Sequence, residues 1–148
     1  SSLKMESFHP LVVHFPIALL LTATALDVLA LLLRRPSLHR IALWNLSLGV
    51  LGAAAAVLTG LQAEAVGKHS FEIWQVMELH QRLGFSTLTL SAVSASWRIV
   101  TQDQLTPRAR LVTMLLEGAL VGTLSWGAYL GGRLVYELGV GGTFGVMR

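Results

Sequence analysis

The feature that most constrains this chain is a series of four long apolar segments joined by short polar connectors. The segments cover about 10–33, 41–65, 74–100 and 111–130. A helix that crosses the hydrocarbon core of a bilayer needs about 20 mostly apolar residues. None of the segments carries a polar stripe wide enough to face water. The sequence therefore predicts an all-α integral membrane protein, an up-down-up-down four-helix bundle that forms a single domain over 1–148.

Composition and charge support this class. Charged residues make up only 13% of the 148 residues, whereas a soluble domain has about 25%. The net charge of +3 comes from basic residues in the connectors, so it indicates membrane topology rather than nucleic-acid binding. The chain has no cysteine, which excludes disulfides, thiolate ligands and covalently attached c-type haem. No hydrolase motif is present, and the sequence leaves open whether the protein is an enzyme.

The distribution of charge predicts the orientation. Basic residues flank the first and third connectors: Arg34, Arg35, Arg40, Arg98, Arg108 and Arg110. The positive-inside rule places these connectors in the cytoplasm. We therefore expect a bacterial inner-membrane protein with both termini in the periplasm. The first apolar run is too long for a cleavable signal peptide and has no basic region before it, and the natural start is expected at Met5.

This topology collects histidines on one side of the membrane. His9 and His14 lie at the outer end of the first helix, His80 lies about two turns into the third, and His69 lies in the outer connector. His39 is the exception, since it falls on the cytoplasmic side and is expected at the interface. Histidine within a span is costly and usually faces the bundle interior or a water-filled cavity. The outer histidines are therefore the main functional signal in the sequence.

One interpretation of the outer histidines is a haem site. His14 and His80 should lie at similar depths, and two neutral imidazoles are suitable axial ligands for haem iron. Small residues at helical spacing would leave room for a macrocycle, although such stripes also serve plain helix packing: Gly52, Ala56, Gly60, Gly84, Gly118 and Gly122. This predicts a single bis-histidine b-type haem near the periplasmic face, in a redox protein that exchanges electrons with a periplasmic partner or a quinol.

Two other classes remain open. One is a copper, zinc or iron site formed by His9, His14 and His80, with His69, Glu64 or Glu78 as further donors. Against it, the first two of these histidines lie about 140° apart around an ideal helix. The other class is a structural subunit without a cofactor.

A second polar level is predicted near the cytoplasmic side. Asp27 on the first helix and Glu117 on the fourth lie about two turns from the inner boundary, and Arg98 lies near it. An unpaired carboxylate in the membrane is expensive. The residues therefore indicate an ion pair of Arg98 with Asp27 or Glu117, or else a proton path or quinone headgroup site.

Four stretches also carry a family resemblance: "FHPLVVHFPIAL", "TGLQAEA", "ELHQRLGF" and "GGRLVYELGVGG". Together they resemble the predicted bacterial membrane proteins called domain of unknown function 2231. The resemblance implies a four-helix membrane domain and no particular reaction. It places motif positions at His9, His14, Pro16, His80 and Tyr136. Some members carry a histidine in the tail where this chain has Leu138, so a ligand from the tail is not expected.

The glycine-rich tail is the last segment for which the sequence predicts a structure and contacts. Gly131 and Gly132 are predicted to end the fourth helix, and 131–148 to fold over the outer face of the bundle. There, Arg133 is expected to pair with a haem propionate. Tyr136 is expected to hydrogen-bond a propionate or a ligating imidazole.

Overall fold

The computed structural model describes residues 2–66, 71–104 and 106–137, with backbone alone at 2–11 and 62–66. This part of the chain forms four helices, α1 (Ser2–Leu33), α2 (Pro36–Val66), α3 (Phe71–Val100) and α4 (Pro107–Tyr136). A helix of 30 residues is about 45 Å long, which exceeds the roughly 30 Å hydrocarbon thickness of a bilayer. The predicted all-α bundle is confirmed.

Tight turns make the helix pairs antiparallel. After α1, Arg34 adopts a left-handed conformation (φ 52°), and the Arg35 N–H donates to the Ala30 carbonyl at 3.0 Å. Pro36 then opens α2, where its missing N–H needs no partner. Before α4, Thr106 caps the helix by accepting a hydrogen bond from the Ala109 N–H at 3.2 Å. The 34–35 and 101–106 connectors therefore lie at the same end of the bundle, the connector end. The start of α1 and the end of α4 lie at the opposite end, which we call the terminal end.

The four helices form a ring. α1 packs mainly on α2, α2 on α3, and α3 on α4, while α1 and α4 touch only sparsely. α1 and α3 are consequently diagonal partners. The apolar centre is formed by small and aliphatic side chains from all four helices: Leu20, Ala23, Leu46, Ala95, Leu120 and Leu124.

The distribution of exposed and buried side chains suits a protein surrounded by lipid, with apolar groups outside and charged groups inside. Large apolar side chains cover the outside, including Leu32 at 73% exposure and Trp44 at 72%, whereas Arg98 inside is 1% exposed. A water-soluble domain would keep such a guanidinium at its surface. The arrangement is that of a protein whose solvent is hydrocarbon.

Three helices contain segments long and apolar enough to cross a membrane: Val12–Leu33, Pro36–Leu61 and Pro107–Tyr136. α3 is not among them because its buried side carries polar groups instead of aliphatic ones: Thr87, Ser91, Ser94 and Arg98. The span expected over 74–100 stays a prediction, which the equal length of α3 and its place in the ring support.

The helix boundaries correct two expectations. α1 begins at Ser2, ahead of the start expected at about residue 10. α4 continues through Gly131 and Gly132 to Tyr136, and the Glu137 N–H still donates to the Arg133 carbonyl at 3.0 Å. Glycine permits a helix end but does not impose one, because its right-handed conformation is also allowed. The tail expected over the outer face lies, from 138 onward, outside the described residues.

Candidate functional site

The most elaborate site is a buried charged cluster near the connector end. Each helix and the 101–106 connector supply one member: Asp27, His39, Arg98, Asp103 and Glu117. Four of these residues are at most 5% exposed. Charged groups at such depth in an apolar bundle persist only when they compensate one another. We call these five residues the charge cluster.

Local backbone geometry brings Asp103 into the charge cluster. Gln102 and Asp103 both have positive φ angles, 53° and 54°, directly after α3 ends. Aspartate tolerates this left-handed conformation better than most residues. The turn directs the Asp103 N–H to the Arg98 carbonyl at 2.7 Å and its carboxylate to the Arg98 Nε at 2.7 Å. The connector is thus tied to the helix that precedes it.

Arg98 is the centre of the charge cluster. Its Nη1 donates to Asp27 Oδ2 at 2.7 Å, and its Nη2 donates to the backbone carbonyl of His39 at 2.7 Å. Glu117 lies farther away, with Oε1 3.7 Å from the same Nη1. The planar guanidinium therefore joins α1, α2, α3 and the connector through a fixed fork of donors.

His39 bridges two carboxylates. Its Nδ1 lies 2.6 Å from Asp27 Oδ1, and its Nε2 lies 2.8 Å from Asp103 Oδ1. A neutral imidazole has a single N–H, and an ionised carboxylate can only accept. Both contacts are hydrogen bonds only when the ring carries two protons or one of the carboxylates carries one. The geometry requires one proton more than a neutral histidine provides.

The charge cluster confirms one expectation and overturns another. The predicted ion pair of Arg98 is present, with Asp27 in direct contact and Glu117 more distant. The interfacial placement of His39 is wrong, because the side chain is 5% exposed and held between two carboxylates. In sequence, His39 stands beside Arg40 in a basic connector and looks solvated. The overlooked signal is the Pro36 helix start, which moves His39 inside α2.

At the terminal end, His80 is fixed against α4. Its Nδ1 donates to the Gly127 carbonyl at 2.8 Å. A carbonyl cannot donate, so the neutral ring carries its proton on Nδ1 and its lone pair on Nε2. Gly131 is the reason the ring fits, because a Cβ there would lie 3.0 Å from His80 Cε1. The sequence did not indicate this role for Gly127 and Gly131.

His14 occupies a different environment. It is exposed, whereas Pro16 on the same helix is buried, and the two lie about 160° apart around α1. His14 thus shares the lipid-facing side with residues such as Leu21 and Leu32. Joint ligation of haem by His14 and His80 stays a prediction. The side chain of His9 lies outside the described part of the chain.

The small residues expected to make room for a macrocycle have other surroundings. A Cβ at Gly52 would meet Pro16 and Phe15 at 3.2–3.3 Å, so this glycine serves the packing of α1 on α2. Gly118 and Gly122 face open space. At Gly84 the nearest atom to an added Cβ is Val57 Cγ2, at 3.9 Å. Gly60 is half-buried, and its predicted contact with a macrocycle is untested.

The remaining predicted ligands lie near the end of α4. Arg133 Nε donates to Glu137 Oε2 at 2.9 Å, and Tyr136 is 87% exposed. Their roles toward a propionate stay predictions. Among the described side chains, no group of three or more histidine, aspartate or glutamate residues is arranged to hold a metal ion. Metal binding by His9, His14 and His80 stays a prediction.

The fold and the buried cluster together define a small helical membrane protein with a charged interior. The family model described as "Predicted membrane protein (DUF2231)" matches residues 6–143. The chain belongs to this family, as its motifs indicated. No curated protein and no solved structure shows significant similarity to it.

Proposed function

We propose that this membrane protein carries a b-type haem near its terminal end, with His80 as an axial ligand, and that it serves in electron transfer. The observation that carries the proposal is the hydrogen bond from His80 Nδ1 to the Gly127 carbonyl. Histidines that bind metal almost always donate their other ring N–H to a carbonyl or carboxylate. This bond sets the tautomer in which Nε2 can coordinate iron.

The packing of His80 supports the same role. The ring is half-buried and rests on a backbone stretch where Gly131 leaves room for it. A ligand must be held in one orientation to bind iron at a fixed distance. The carbonyl and the glycine provide that orientation from α4, although the histidine belongs to α3.

The second axial ligand is proposed to be His14. Because His14 faces outward from its own bundle, it can complete the site when a neighbouring copy supplies it. His80 of one copy and His14 of a neighbouring copy would then hold the haem. When bound, the haem supplies one-electron redox chemistry.

The membrane setting suggests the partners. The exposed arginines at the connector end, among them Arg34, Arg35 and Arg108, favour the cytoplasmic side of a bacterial inner membrane. The terminal end then faces the periplasm. A periplasmic redox protein or a quinol in the bilayer is the proposed electron donor or acceptor.

Absorption spectra of the purified protein test the proposal. The protein is expressed with ample haem and measured in its oxidised and dithionite-reduced forms. We expect a Soret band and a sharp α band of the b type. Elemental analysis that finds copper, zinc or iron without a Soret band would favour the non-haem alternative. The absence of both a Soret band and a bound metal would favour a structural subunit.

Variants of the two histidines locate the ligands. His80→Asn retains an N–H for the Gly127 carbonyl but offers no imidazole, so it should fold and lose the haem. His14→Ala should retain the haem and convert its spectrum from low spin to high spin. An unchanged spectrum in His14→Ala would exclude that residue as the sixth ligand.

A further inference from the structure

We propose that the charge cluster is a proton-binding site in which Glu117 holds a proton that exchanges with the connector side of the membrane through His39 and Asp103. This inference is independent of the haem proposal, because it rests on residues at the opposite end of the bundle. It assigns proton binding to a group of side chains whose ion pairs would otherwise be explained by a structural role alone.

The first argument is the charge balance. Arg98 and a doubly protonated His39 carry two positive charges, and ionised Asp27 and Asp103 carry two negative charges. These four groups, from α1, α2, α3 and the connector, contact one another, and Arg98 Nη1 among them lies 3.7 Å from Glu117 Oε1. They are neutral as a set, so an ionised Glu117 would leave an uncompensated charge in an apolar bundle, which is strongly unfavourable.

The second argument is hydrogen bonding. Glu117 is 2% exposed, and no N–H donor or hydroxyl among the described residues gives a hydrogen bond to either of its carboxyl oxygens. An ionised carboxylate loses more than a neutral acid when its hydration is not replaced. Both arguments lead to a Glu117 that carries its own proton while the rest of the charge cluster is internally paired.

The third argument is a route to the surface. Asp103 is the most exposed acidic member, with a side chain 12% exposed, against 0% for Asp27 and 2% for Glu117. His39 contacts Asp103 with one ring nitrogen and Asp27 with the other. A doubly protonated ring can give a proton to either carboxylate and take one back, and each exchange leaves the number of protons in the site unchanged.

The last step links Asp27 to Glu117. Asp27 Oδ2 and Glu117 Oε1 lie 2.7 and 3.7 Å from the same guanidinium nitrogen of Arg98. The two carboxyl groups are therefore no farther apart than these distances combined, and they are near enough for a protonated Glu117 to donate a hydrogen bond to Asp27. A proton that leaves Glu117 for Asp27 meets the His39 ring directly.

Infrared spectroscopy of the full chain in lipid bilayers tests the proposal. At neutral pH, a carboxylic acid band from an apolar environment should be present and should shift in D2O. It should disappear in Glu117→Gln and persist in Glu137→Gln, a control at the C-cap of α4 with an exposed carboxylate. A wild-type protein without this band, or a band that survives in Glu117→Gln, overturns the proposal.

The rate at which the Glu117 proton exchanges with deuterium tests the route through His39 and Asp103. A cluster with only a structural role would need no such route. Asp103→Asn keeps the shape of the turn and tolerates the left-handed backbone. With one carboxylate removed, a His39 that carries a single proton keeps the remaining groups neutral as a set, so the Glu117 acid band should persist. The introduced amide cannot relay a proton. The deuterium shift of the Glu117 band should then be slower by about a hundredfold. An unchanged rate in a folded Asp103→Asn protein would eliminate the route through His39.

A measurement on the unmodified protein covers the case in which the variants fail to fold. Nitrogen-15 NMR of labelled histidine distinguishes a doubly protonated ring from either neutral tautomer. The His39 signal should be that of the doubly protonated form at neutral pH. A neutral His39 removes the charge balance on which the site depends.

Discussion

The two ends of the bundle hold histidines in opposite ways. At the connector end, His39 is 5% exposed, both ring nitrogens contact carboxylates, and Arg98 ties its backbone to α1 and α3. At the terminal end, His80 is half-buried, and its ring donates to one backbone carbonyl. Two carboxylates contact the ring nitrogens of His39, whereas the Gly127 carbonyl and the backbone at Gly131 help to orient His80. In the two proposals made above, the connector end holds a proton and the terminal end offers an imidazole ligand.

The largest expected effect is at Arg98. Arg98→Ala removes the donor that Asp27 and Asp103 share and leaves buried carboxylates unpaired, so it should lower the free energy of unfolding by about 3–5 kcal/mol. The measurement is unfolding by a denaturing detergent. The control is Arg82→Ala on the same helix, whose pair with Glu78 is 74% exposed on the arginine side and should contribute about 0–1 kcal/mol. Equal effects of the two variants would contradict a special role for the charge cluster.

The second effect is at the terminal end. Gly131→Ala places a Cβ 3.0 Å from His80 Cε1, so the ring must shift from its position on α4. We expect weaker haem binding or an altered haem spectrum. Gly132→Ala, with nothing within 4 Å of the added Cβ, is the matched control. If both variants keep the wild-type spectrum, the position of the imidazole on α4 does not matter for function.

A third effect lies between the two ends, where α1 meets α2. Gly49→Ala brings a Cβ to 2.5 Å from Leu20 Cδ2, and Leu20 is fully buried. Overpacking of this kind destabilises by about 1–3 kcal/mol. Detergent unfolding should show the loss of stability, while the haem absorption spectrum and the infrared band of Glu117 stay unchanged. This result would show that Gly49 contributes to helix packing and to neither site.

The smallest effect is on the lipid-facing surface of α4. Gly118→Ala meets nothing within 4 Å, and alanine favours a helix over glycine by up to about 1 kcal/mol. Stability should therefore stay the same or rise slightly. A clear loss would indicate that this face packs against another molecule, such as a second copy that supplies His14.

The candidate sites were predictable in part. The ion pair of Arg98 with Asp27 follows from the sequence, because charged groups in separate apolar helices must meet to be tolerated. The role of Asp103 does not follow, because it depends on a left-handed turn that no local pattern requires. His14 and His80 were placed at similar depth, but depth says nothing about rotation around the helix axis. That rotation puts one on the lipid side and the other against α4.

The order of apolar and polar residues was enough to establish the membrane class and the four helices. In lipid every backbone N–H and C=O must find an internal partner, and a run of apolar residues can achieve this only as a helix. Which polar side chains meet is a separate matter. It depends on how each helix turns about its axis when small residues such as Gly49 and Gly131 allow close approach. That packing joins His39 to two carboxylates and leaves His14 outside, a result that emerges only when four helices are in contact at once.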